Sequence, residues 1–121
     1  MKIVLYSDDV NLLSHWEKSL EESSLVVESL QELYGVFNSI IILNYSACKS
    51  ECSSILAHLN RQKNRVLVLH RTPLFETAQE LLHLGAYGYG NAMMHAHFIL
   101  AAVNTIRENM IWLYPEFTSQ L

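Results

Sequence analysis

Asp8 and Asp9 stand together just after the apolar run Ile3 to Tyr6, Asn44 ends the run Ile40 to Leu43, and His70 ends Val66 to Leu69. Adjacent carboxylates can hold a divalent cation or cap a helix, and an imidazole can carry a proton near neutral pH. Asn44 poses a different question. An amide at a buried strand end has the shape of aspartate but is no usable nucleophile at neutral pH. Any chemistry here therefore depends on what else converges on that end of the chain's strands.

Two other groups invite a chemical reading. Cys48 and Cys52 are spaced i, i+4, which allows them to share a helix face. Two thiols make neither a disulfide framework nor a zinc set, so they read as small packing residues in a reducing compartment. Met93-Met94-His95-Ala96-His97 looks metal-like, but on a regular helix the two imidazoles of His-x-His point about 200° apart. That geometry is poor for one ion, and the segment reads better as part of a partner surface carrying an exposed methionine pair. No nucleophile elbow, P-loop or dinucleotide-binding glycine motif follows any strand, so no enzymatic activity is expected.

The elements that must position these residues alternate along the chain. After Ile3 to Tyr6, Leu12, Leu13, Trp16 and Leu20 recur at helical spacing behind a cap at Asp9 or Asn11. Leu25 to Val27 forms a weaker second strand, and Ser29 to Phe37 a helix cut short by Gly35. Ile40 to Leu43 is apolar on both faces, as central parallel strands are. Cys52, Ile55, Leu56 and Leu59 mark a third helix, and Val66 to Leu69 a fourth strand. A fourth helix follows Pro73, Ala86 to Tyr89 gives a fifth strand, and Phe98 to Ile106 a fifth helix. Five strands alternating with five helices predict one doubly wound α/β domain with a parallel sheet of order 2-1-3-4-5. Ligands of such sheets gather beyond the carboxyl ends of the strands, where Asp8, Asp9, Asn44, His70 and the residues after Tyr89 would meet.

Bulk properties narrow the function classes. The chain has 121 residues, half of them hydrophobic, with a formal charge of −4. That suits one globular domain and argues against direct nucleic-acid binding. The one basic stretch, Arg61 to Arg65, reads as a solvated loop. No signal peptide or membrane-length apolar run is present, so a soluble, cytoplasmic protein is expected.

The pattern resembles the receiver domain of bacterial two-component response regulators over essentially the whole chain, 1–121. Asp8-Asp9 resembles that family's metal-binding acidic pair. Gly85 to Val103 follows its Gly-Ala-x-Gly-Tyr pattern and the apolar helix after it. Ile111 to Phe117 is similar to the end of receivers of the NarL/LuxR subfamily, after which a helix-turn-helix domain would follow. Asp9 and Asn44 are only 35 residues apart, so the second helix should be short.

The resemblance also implies what is missing. Active receivers hold Mg²⁺ on two acids, accept a phosphoryl group on an aspartate, contact it through Thr or Ser, and neutralise it with Lys. Asn44 stands at the acceptor, His70 at the Thr/Ser position and Ala92 at the Lys position, while Cys48 replaces a usual proline. Tyr89 matches the aromatic used there as a rotameric switch. The expectation is a phosphorylation-independent pseudo-receiver that pairs with itself through its fourth helix, fifth strand and fifth helix. Mg²⁺ would bind Asp8 and Asp9 weakly or not at all, and His70 would either approach one of these acids in place of a cation or simply point at solvent. The alternatives are phosphorylation at another residue, with Asp8, Asp9 or His70 as acceptor, and sensing of a small ligand in the altered pocket.

Overall fold

The apolar runs of the sequence become the strands of one six-stranded, wholly parallel sheet, in a computed structural model that describes residues 1–48 and 50–118. The elements are β1 (Ile3–Tyr6), α1 (Val10–Ser19), β2 (Ser24–Val27), α2 (Leu30–Leu33), β3 (Ile40–Asn44), α3 (Cys52–Arg61) and β4 (Arg65–His70). They continue as α4 (Phe75–His83), β5 (Gly88–Asn91), α5 (Ala96–Arg107), β6 (Trp112–Leu113) and α6 (Pro115–Thr118). The sheet order is β2-β1-β3-β4-β5-β6. No helix among the described residues is long and apolar enough to cross a membrane.

Alternation along the strands builds two cores. Ile41 and Leu43 of β3 join Leu33 of α2, Ile55 and Leu59 of α3, and Leu81 of α4 on one face. Ile40 and Ile42 join Leu12 and Trp16 of α1, and Ile99, Val103 and Ile106 of α5, on the other. Every residue of β3 is buried, which fits a central strand covered on both sides.

Three expectations need correction. The sheet has six strands, not five: β6 pairs in parallel with β5, placing Trp112 beside Gly88 and Leu113 beside Tyr89. Glycine makes this possible. A Cβ at Gly88 would sit 2.8 Å from the Trp112 carbonyl oxygen, and one at Gly90 2.8 Å from the Trp112 ring. The fifth strand also begins two residues later than expected, at Gly88.

The basic stretch is the third correction, because it is tied into the fold rather than simply solvated. The Arg65 guanidinium donates to the carbonyl oxygens of Ile106 and Arg107, closing the carboxyl end of α5. Asn64 is buried and bonds to the backbone of Val36, Ser39 and Leu59. The second helix is short, as expected, a single turn capped by the Ser29 hydroxyl.

Candidate functional site

Asn44 ends β3 with its side chain almost wholly buried. Its Oδ1 accepts the Ser46 backbone N–H, which sets the orientation of the amide. The Nδ2 group therefore faces the loop after β1, donating to Ser7 Oγ at 3.0 Å and to Asp8 Oδ1 at 3.3 Å. The amide thus does two jobs: it starts the turn Tyr45–Ala47 and holds an exposed carboxylate.

Asp9 is fully engaged in another way. Its Oδ1 caps α1 by accepting from the backbone N–H groups of Asn11 and Leu12. Its Oδ2 accepts from Arg71 Nη2 at 2.7 Å. The Arg71 hydrogen bond, helped by the Leu12 N–H, holds the Asp9 carboxyl below its ordinary pKa. A lowered carboxyl pKa contributes stability above the unfolded value, and that contribution is lost as pH falls through the folded value. Arg71→Gln is expected to raise the Asp9 pKa toward the usual carboxylate range of about 4. Carboxyl NMR titration checks this, and an unchanged Asp9 titration would refute the pairing.

Arg71 is thus a cation that meets Asp9, a pairing the sequence had not pointed to, and the His70 imidazole packs between two tyrosines. His70 Nδ1 lies 2.8 Å from the Tyr89 hydroxyl, and the Tyr45 ring rests against it at 4.3 Å between centroids. Tyr89 is fully buried rather than half-buried, with its ring turned inward, and its hydroxyl accepts the Leu74 backbone N–H. Burial raises the Tyr89 pKa, opposed by the hydrogen bonds from Leu74 and Thr77. The aromatic thus closes the entrance to α4 through polar contacts that a phenylalanine would lack.

Ala92 is buried and acts through its backbone. Its N–H donates to the His70 carbonyl, and its own carbonyl accepts from the Trp16 indole at 3.0 Å. His15 Nε2 donates to the Met94 carbonyl at 2.8 Å, so α1 fastens the β5–α5 connection at two points. Arg71, Trp16 and His15 were not singled out for these roles from the sequence. Trp16 had been assigned to the core correctly, but the reach of its N–H across to a loop depends on how α1 packs against α5.

The segment after Ala92 departs from expectation. Met93 is exposed, but Met94 is buried, so the pair divides between surface and core. His95 is the N-cap of α5, with φ −57° and ψ 149°, so the 200° helical separation does not apply. The His95 and His97 Nδ1 atoms approach to 2.8 Å. Among the described residues, no group of three or more His, Cys, Asp or Glu side chains gathers in a way that could hold a metal. A hollow of about 370 Å³, lined by Asn60, Lys63, Asn64, Arg65, Gly85 and Tyr87, opens at the amino ends of β4 and β5, whereas Asn44 and His70 lie at the carboxyl ends of their strands.

No protein-family model matches the chain, and no curated protein matches it. Solved structures do. The isolated receiver domain of RcsB from Salmonella enterica serovar Typhimurium, in the presence of a phosphomimetic, aligns with a TM-score of 0.79 at 14% identity, covering 100% of this chain and 98% of that one. A LuxR-family two-component response regulator from an Aurantimonas species gives 0.80 at 15% identity, covering 98% and 92%. A LuxR-family DNA-binding response regulator from Silicibacter pomeroyi gives 0.69 at 17% identity, covering 97% and 99%. At such identities the likeness speaks for architecture alone, and it agrees with the α/β fold described above. The chain has the fold of the receiver domains of two-component response regulators.

Proposed function

We propose that the chain is a phosphorylation-independent receiver, a regulatory module that acts through contacts with other proteins. The observation that carries this reading is the state of the three strand-end groups around Asn44. The buried amide directs its N–H₂ at Asp8, so it supplies a hydrogen-bond donor where phosphorylation would need an attacking carboxylate. Both Asp9 oxygens are committed, one to the α1 cap and one to Arg71. Ala92 has no ammonium to offer a transferred phosphoryl group.

The same donor set does not suit Mg²⁺. A hard cation needs several oxygens pointing inward, and here Asn44 turns nitrogen toward the acids while Arg71 already occupies Asp9. Incubation with acetyl phosphate and Mg²⁺ followed by intact mass is expected to leave the chain unmodified. A Mg²⁺-dependent gain of a phosphoryl group would overturn the reading, and mapping that group to Asp8, Asp9 or His70 would establish the alternative acceptor.

The contacting surface in this reading is the face formed by α4, β5 and α5, with a second copy of the chain as partner. Leu74 at the start of α4 and Met93 before α5 are each at least half exposed, which suits an apolar contact. The LuxR-family neighbours are consistent with a place in transcription regulation. Size measurement over a concentration series, with Leu74→Asp as the comparison, tests the pairing: a weight that rises with concentration only in the parent supports it.

A further inference from the structure

Cys48 and Cys52 are free and buried, one in the connection after β3 and one at the first position of α3. Their sulfurs lie 2.9 Å apart. A disulfide bond needs about 2.0 Å, so an approach of roughly 1 Å would bring the pair to bonding distance. The setting distinguishes the two thiols. Cys52 opens a ten-residue helix whose N-cap, Glu51, makes no side-chain bond to the first turn. Unpaired backbone N–H groups at such an end favour a thiolate.

Either sulfur can donate the hydrogen bond between them. That bond lowers the Cys52 pKa and, together with burial, raises the Cys48 pKa, the same direction that the helix end favours. Packing alone does not require so short a separation.

We propose that Cys48 and Cys52 form a site of reversible oxidative modification, closing an intramolecular disulfide when the protein meets hydrogen peroxide. Cys52 thiolate attacks one peroxide oxygen; the S–O bond forms, the O–O bond breaks, and the leaving hydroxide takes up a proton as water. Cys48 then attacks the Cys52 sulfur; the S–S bond forms, the S–O bond breaks, and the second hydroxide leaves with the proton from Cys48. Two thiols are oxidised by two electrons, and one peroxide is reduced to two waters. Cys52 is only 6% exposed, which favours a water-sized oxidant over a bulky disulfide.

The modification would be felt at the strand ends. Cys48 donates its backbone N–H to the Tyr45 carbonyl, Tyr45 packs on His70, and His70 meets the Tyr89 hydroxyl. A covalent tie from Cys48 to α3 restrains the segment that carries Tyr45. This offers an oxidative input to the same loop that bears the acceptor in phosphorylated receivers, whether or not the chain takes phosphate.

The test uses the full chain, reduced and then exposed to hydrogen peroxide, unfolded in iodoacetamide and weighed intact. The expected product is monomeric, unalkylated and lighter by about 2 Da, and dithiothreitol restores two alkylatable thiols. In Cys48→Ser the sulfenic acid at Cys52 should persist and be trapped by dimedone, at least about tenfold faster than Cys48 is trapped in Cys52→Ser. Two fully alkylated cysteines after peroxide would overturn the proposal, as would disulfides found only between chains. The unmutated chain alone decides that question, so a variant that fails to fold does not remove the test.

Discussion

Trp16→Ala is expected to cost about 4 kcal/mol of folding free energy, enough to leave a domain of ordinary stability close to unfolding. Trp16 is completely buried in α1 and packs in the core that α1, α5 and one face of the sheet share. Truncation removes most of that apolar area and leaves a cavity between layers that the sheet prevents from collapsing. It also strips the Ala92 carbonyl of its indole donor, which adds about 1 kcal/mol for a buried acceptor left unmet. Trp16→Phe goes far toward separating these contributions, because it loses the N–H and part of the ring but retains much of the packing. Its deficit should be smaller, with faster amide exchange concentrated at residues 92–94, where α1 fastens the β5–α5 connection. Urea unfolding of both variants checks the order. A cost below about 1 kcal/mol for Trp16→Ala would mean that α1 does not hold that connection.

The path from sequence to this arrangement was uneven for physical reasons. Ile40 to Leu43 was readable as a central strand because a run apolar on both faces has few other places to go, and β3 extends it by one residue to Asn44. The short α2 followed from the spacing between Asp9 and Asn44. β6 was hidden because two residues carry no periodicity, and their pairing depends on the missing side chains of Gly88 and Gly90.

Side-chain partners were less legible than positions. His70 and Arg71 are neighbours in sequence, yet the imidazole meets Tyr89 while the guanidinium reaches Asp9. His95 shows the same limit from another direction. Its relation to His97 was computed from helical geometry, but its cap conformation places it outside the helix. Residue type predicted what each group can do, and the backbone at element ends determined what it meets.

The second large effect concerns the amide itself. Asn44→Asp restores a carboxylate to the strand end and is expected to destabilise the protein by about 2 kcal/mol at neutral pH in the presence of a chelator. The substitution keeps the shape of the side chain and its acceptor for the Ser46 N–H. What it loses is the donor to Ser7 and Asp8, replaced by an oxygen that faces the Asp8 carboxylate across about the same gap. Two like charges then meet at a residue that is 2% exposed, and the screening available to Asp8 at the surface offsets only part of the cost. Acid should relieve the deficit, because protonation removes the added charge and returns a donor to the same position. Mg²⁺ should relieve it too. Asp8 and the new carboxylate, joined by Asp9 once Arg71 releases it, make a better cation site than two acids with an amide, and ligand at 100 times its Kd would return about 2.7 kcal/mol. Urea midpoints of parent and variant, with chelator and with Mg²⁺, read both effects together. A parent stabilised by Mg²⁺ as much as the variant would show that Asn44 is not what keeps the cation away. A variant as stable as the parent in chelator would show that the amide does not serve as the donor that holds Asp8.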